Sequence, residues 1–157
     1  MKADLRSAAR TGRVWIEGGI VKSRSTCFGH WALRVSDLRL VGESTNENGP
    51  FADDWTLVFA TGADTWHEAS FDAFAGTDFL AQLEHAIGAA LKPQLVACTT
   101  FDSRVLWPPE LGGRPVFRYD PAPPRSVLDR LWFAVFGPSG NIQTFTEEVR
   151  DYLVGQT

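Results

Sequence analysis

The hydrophobic pattern of this chain changes period only once before Pro93, and that order of patterns constrains the fold more than any other feature. "RVWIEGGIVKS", residues 13–23, reads as strand on both sides of Gly18-Gly19, a pair suited to a hairpin turn or bulge. "HWALRV" reads as a further strand. In Ser36 to Glu43 the alternation places Leu38 and Leu40 on one face and Asp37, Arg39 and Val41 on the other, the period-two mark of a half-buried strand. "WTLVFAT", residues 55–61, reads as a central strand. "GAD" then turns the chain into "TWHEASF", where His67, Ala69 and Phe71 oppose Trp66, Glu68 and Ser70; so short a connection predicts an antiparallel hairpin.

Residues 77–91, "TDFLAQLEHAIGAAL", carry Phe79, Leu80, Leu83, Ala86, Ile87, Ala90 and Leu91 at helical spacing, with Thr77 as N-cap and Pro93 as stop. Strand-like runs return in "QLVACTTF", "RVLW" and "RPVFRY". "DPAPPR", residues 120–125, is a stiff proline connection. "PRSVLDRLWFAVFG" predicts a second helix with Val127, Leu128, Leu131, Trp132, Val135 and Phe136 on its apolar side. "PSGN" reads as a turn, and the Thr144–Glu147 spacing suits a capping box for a last helix through Leu153. Strands, helix, strands, helices is not the alternation of a doubly wound sheet. The expectation is an α+β fold with a mainly antiparallel sheet packed by a central helix, followed by C-terminal helices.

The 157 residues suit a single domain, with sheet and helix over 13–118 and a helical segment over 123–154. At 44% apolar and 12% aromatic, the chain can bury a core without disulfide or metal staples. Its net charge of −4, with lysine only at Lys2, Lys22 and Lys92, argues against nucleic acid and anionic membrane as partners, since both need dense cationic surface. No apolar run approaches membrane-spanning length. The polar start "MKADLRSAARTGR" lacks the apolar stretch of a signal peptide, and the two cysteines, Cys27 and Cys98, make no disulfide framework. The expected compartment is the cytoplasm.

Two segments, "VGESTNENGPFADDWTLVF" and "TTFDSRVLWPPELGGRPVF", resemble a group of small bacterial proteins of unassigned activity that carry a GE-x-T-N-x-x-GP segment and an SRVLWPP segment. The similarity covers about Trp31 to Phe117. The run of strands before a helix also looks like a pleckstrin-homology-like partial barrel, although more strands follow the helix here than that fold has at its end. The resemblance implies no catalytic role.

Function, on this reading, sits in one of two places. Glu43, Asn46, Asp53, Asp54 and Arg104 are candidate rim residues for a ligand or partner. The oxygens of Glu43, Asn46, Glu47, Asn48, Asp53 and Asp54 suit a hard cation, but the spacing departs from D-x-[DN]-x-[DN]-G-x₅-E, and the favoured reading is a long hairpin connection with its acids solvated or paired to Arg104. Arg104 is also expected to pair with Asp102 or Glu110. Leu128, Leu131, Trp132, Val135 and Phe136 are the candidate interface, in a helix very apolar for a surface position; it either completes the core, the favoured reading, or meets another chain. His30, His67 and His85 are scattered and no CxxC exists, so no metal and no cofactor is expected. Cys27 with His30 is a conceivable nucleophilic pair without a supporting signature. The favoured function is a non-enzymatic protein-binding or interaction module whose partner is another protein or a second copy of the chain in a homodimer. The alternatives are a small hydrolase or transferase using Cys27 or a carboxylate, and an acidic immunity or regulatory protein that masks a basic partner.

Overall fold

The computed structural model describes residues 12–46, 54–95, 98, 100–124, 126–136 and 141–156. The chain is α+β, and every strand pairing among these residues is antiparallel. Strands β1 (Arg13–Glu17), β2 (Ile20–Arg24) and β3 (His30–Arg34) form a three-stranded meander. Gly18 and Gly19 turn β1 into β2 with φ of 58° and 74°, a left-handed pair that only glycine enters without strain.

The second sheet runs β6-β5-β4-β7, from β4 (Leu40–Thr45), β5 (Trp55–Gly62), β6 (Thr65–Ser70) and β7 (Asp102–Trp107). Strands β8 (Phe117–Pro121) and β9 (Asn141–Phe145) make a separate ribbon. Among the described residues the sheets do not close into a barrel.

The second sheet is the middle layer, which explains the unbroken apolar run of β5. On one face Val41, Trp55, Leu57, Phe59 and Ala69 pack with Val14, Val21 and Leu33 of the meander and with Phe79 and Leu83 of helix α1 (Phe79–Ile87). On the other face Leu40, Val58, Ala60 and Val105 pack with Phe117 and Phe145 of the ribbon and with Val149 and Leu153 of helix α3 (Glu147–Gly155). Two cores share one sheet, so strands that serve both must be apolar at successive positions. Gly42 admits the closest approach between layers: a Cβ there would lie 2.6 Å from Val116 Cγ2.

The sequence expectations shift at several boundaries. Residues Val35–Asp37 form a 3-10 turn rather than strand, so Leu38 and Leu40 do not share a face; Leu38 enters the first core and Leu40 the second. Helix α1 stops at Gly88, which adopts φ 69° and caps it from Glu84, well before Pro93. Its N-cap is Asp78, while Thr77 Oγ1 accepts from the Phe79 amide. The described part of "QLVACTTF" is not a strand. The C-terminal segment is not wholly helical, because β9 pairs with β8 and Thr144 lies in that strand opposite Arg118. Thr146 instead caps α3, its hydroxyl accepting from Val149 N at 3.4 Å.

Candidate functional site

Strands β4 and β5 do form the expected hairpin, in register from Leu40 opposite Ala60 to Thr45 opposite Trp55. Asn46 N donates to Asp54 O at 3.0 Å at its open end. The connection beyond, including Asp53, lies outside the described residues. Among the described residues the candidate rim is divided between two pockets, Glu43 and Arg104 in one and Asn46 in the other. Glu43 is not a solvated acid: it is 0% exposed within the first core. Its Oε2 accepts from Trp55 Nε1 at 2.9 Å and from Leu95 N at 3.2 Å, and its Oε1 from Gln94 N at 2.9 Å. The carboxylate thereby anchors the irregular segment after α1, whose amides find no strand to pair with.

Arg104 stands opposite Glu43 in the β4–β7 register, and both line a pocket of about 290 Å³ with Lys92 and Gln94. They form no ion pair. Arg104 donates to Gln94 Oε1 at 2.9 Å and lies 3.8 Å from Asp102, the acid expected of it, whereas Glu110 is not its partner. Asn46 belongs to a different cavity, and Asp54 contributes its backbone carbonyl to the hairpin.

That other cavity is what the sequence reading missed. Ser70, Thr56, Ser44 and Ser103 are register partners in turn across all four strands of the middle sheet. All four hydroxyl side chains are buried. They continue the face that is apolar at Leu40, Val58 and Val105, so one face of the sheet passes from hydrocarbon to a row of hydroxyls. Ser103 Oγ accepts the Phe117 amide at 2.9 Å and ties β8 to β7. Ser44 Oγ lies 3.0 Å from Tyr119 Oη.

Beside the row, Glu68 accepts from Gln143 Nε2 at 3.1 Å and Trp66 Nε1 at 3.3 Å on Oε1, and from Thr56 Oγ1 at 3.4 Å on Oε2. Burial holds its carboxyl above the usual carboxylate range. It also raises the Tyr119 phenol, with the charges of Glu68 and Asp102 adding to the effect. Glu68, Ser44, Thr56, Tyr119, Gln143 and Asn46 surround a cavity of about 60 Å³, with Phe28 and Phe101 in its wall. Part of the signal in the sequence was parity: Thr56, Glu68 and Ser70 are polar positions inside runs read as strand, whereas Ser44 and Ser103 lie just outside such runs and join the same face only through the β4–β7 register.

The candidate interface sits on helix α2 (Val127–Phe136), inserted between the two strands of the ribbon. Of the two readings of this helix, completion of the core is disfavoured, because none of its described side chains enters either core cluster. Val127, Leu128, Leu131, Trp132 and Val135 are 73%, 78%, 64%, 59% and 72% exposed. At 100° per residue they form a single stripe, and Phe133, on the other side, is the least exposed at 37%. The side chain of Phe136 lies outside the described residues.

Cys27 is exposed and Cys98 half-buried. Hydrogen bonds with Thr100 draw the Cys98 thiol below its ordinary value, yet no histidine joins it. Among the described residues no three His, Cys, Asp or Glu side chains are grouped as metal ligands, and no helix is long and apolar enough to cross a membrane. No protein-family model, curated protein or solved structure matches the chain.

Proposed function

We propose that the protein is a non-enzymatic interaction module that associates with a second copy of itself through helix α2. The observation that carries this reading is the outward apolar stripe from Val127 to Val135. A helix of a globular domain normally turns such a stripe inward, where each large side chain gains about 1.5–3 kcal/mol by burial. Here that gain is left for association.

The magnitudes favour a second copy. With about 150–250 Å² for each aromatic side chain and less for each aliphatic one, the stripe of Val127, Leu128, Leu131, Trp132 and Val135 exposes on the order of 600 Å². The largest apolar patch on a monomer is typically about 300–600 Å², so the stripe stands at the top of that range. Two such faces in a twofold contact remove about 1,200 Å² from water, the lower end of the roughly 1,200–2,000 Å² of a stable interface. The stripe is flanked by one acid, Asp129, and one base, Arg130, so two copies meet there without net repulsion. A lipid surface fits less well, since an interfacial helix carries a polar face rich in Lys and Arg.

Hydrogen exchange across a dilution series tests the reading. Amides of α2 are expected to exchange faster as the protein is diluted, while β4 and β5 keep their rates. Exchange in α2 independent of concentration contradicts it.

A further inference from the structure

The Glu68 carboxyl group takes its side-chain hydrogen bonds from neutral donors: an indole, a carboxamide and a hydroxyl, the last at 3.4 Å. None of the ion pairs formed among the described residues includes it. A desolvated carboxylate without a cation is costly, and the raised carboxyl pKa expresses that cost.

The cavity in front of it is selective by size and by chemistry. About 60 Å³ is room for roughly two waters, each taking about 30 Å³ in the liquid. It also takes an ammonium head with the first carbon of its alkyl chain, but not a guanidinium with its stem. The groups lining it are mostly acceptors or hydroxyls able to accept: the Glu68 carboxylate, Ser44 Oγ, Thr56 Oγ1 and Tyr119 Oη. Phe28 and Phe101 add aromatic surface, which favours a cation over a neutral molecule. A divalent ion such as calcium wants six to eight oxygens, about half of them carboxylate, and one carboxylate falls short. An ammonium group brings three donors and one positive charge to this set.

We propose that the cavity bounded by Glu68, Ser44 and Tyr119 is a binding site for a primary ammonium group, presented by a small alkylamine or by a lysine side chain of another protein. The ammonium hydrogens meet Glu68, Tyr119 and Ser44, and the alkyl carbon lies against the phenyl rings. The site faces the second core and the ribbon, and it operates independently of α2.

Nuclear magnetic resonance of the full chain tests this through two reporters that donate to Glu68 Oε1, the Trp66 indole N–H and the Gln143 side-chain amide. Methylammonium chloride is titrated against sodium chloride at matched ionic strength. A saturable shift of both reporters with methylammonium alone is expected. Glu68→Gln, which keeps shape and the neutral contacts, is expected to weaken binding at least tenfold; Tyr119→Phe, which removes one acceptor, is expected to weaken it less. A second titration uses a terminally blocked lysine peptide. Saturation by both ligands assigns the site to lysine side chains, and saturation by methylammonium alone assigns it to small amines. No saturation by either ligand, equal shifts with sodium, or unchanged affinity in Glu68→Gln would mean a cavity that holds only water, and overturns the proposal.

Discussion

The Trp55 indole donates to Glu43 Oε2 at 2.9 Å across the β4–β5 hairpin, with both residues closed off from solvent. The same carboxylate receives the amides of Gln94 and Leu95, so one charged side chain binds two strands and the segment leaving α1. Removing it strands two buried donors, the Trp55 indole and the Leu95 amide, and the part-buried Gln94 amide. Glu43→Ala is expected to destabilise the fold by about 3–5 kcal/mol, and Trp55→Phe, which removes one donor, by about 1–2 kcal/mol. Urea denaturation of the two single variants and the double variant measures this. Additive effects would contradict a shared network.

The ribbon offers a contrast between two buried hydroxyls. Ser103 Oγ holds the Phe117 amide at 2.9 Å, and Ser103→Ala is expected to cost about 1–3 kcal/mol by leaving that amide unsatisfied. Thr144 Oγ1 is buried without a hydrogen-bond partner among the described residues. Thr144→Val keeps the shape and removes the orphaned group, and is expected to be neutral or to stabilise by up to about 1 kcal/mol. Thermal denaturation separates them: a loss on Thr144→Val comparable with Ser103→Ala contradicts these assignments.

Two ionisable groups of β6 give the stability profile opposite slopes. Burial lowers the His67 imidazole, which stacks on Trp31 at 5.0 Å, so the unfolded chain protonates first as pH falls. Stability from His67 is present above about pH 6.5 and lost as pH falls through its lower folded value. Glu68 is raised, so the folded chain takes up its proton first on acidification. Its favourable contribution is present below the ordinary carboxyl value, about 4.3, and is lost as pH rises through the raised one. Glu68→Gln is therefore expected to be more stable than the parent at neutral pH, the difference shrinking as pH drops toward 4. A difference that does not change with pH contradicts the assignment.

Much of the fold was legible where one physical cause acted alone. Gly18-Gly19 announced the β1–β2 turn, and the alternation in "TWHEASF" gave both faces of β6 correctly. Legibility failed where tertiary structure overrode local pattern. Leu38 and Leu40 look like one strand face, but the 3-10 turn at Val35–Asp37 sends them into different cores. Glu43 looks like the first acid of a polar loop, and only the fold shows that Trp55, Gln94 and Leu95 await it. The Glu68 cavity is assembled from β4, β5, β6, β8 and β9 and has no local motif, since its residues are brought together by register. Helix α2 was legible as apolar, but not as standing outside the core.

The central claim is that α2 joins two copies of this chain, and its most direct test is the mass in solution. Light scattering behind size-exclusion chromatography, across a concentration series, compares the parent with Leu131→Asp, a substitution on a side chain that is 64% exposed and outside both cores. The account predicts a parent mass approaching twice 17.3 kDa as concentration rises, and a folded Leu131→Asp protein that stays at 17.3 kDa. A parent that remains at 17.3 kDa throughout, or a Leu131→Asp protein that dimerises like the parent, would contradict it.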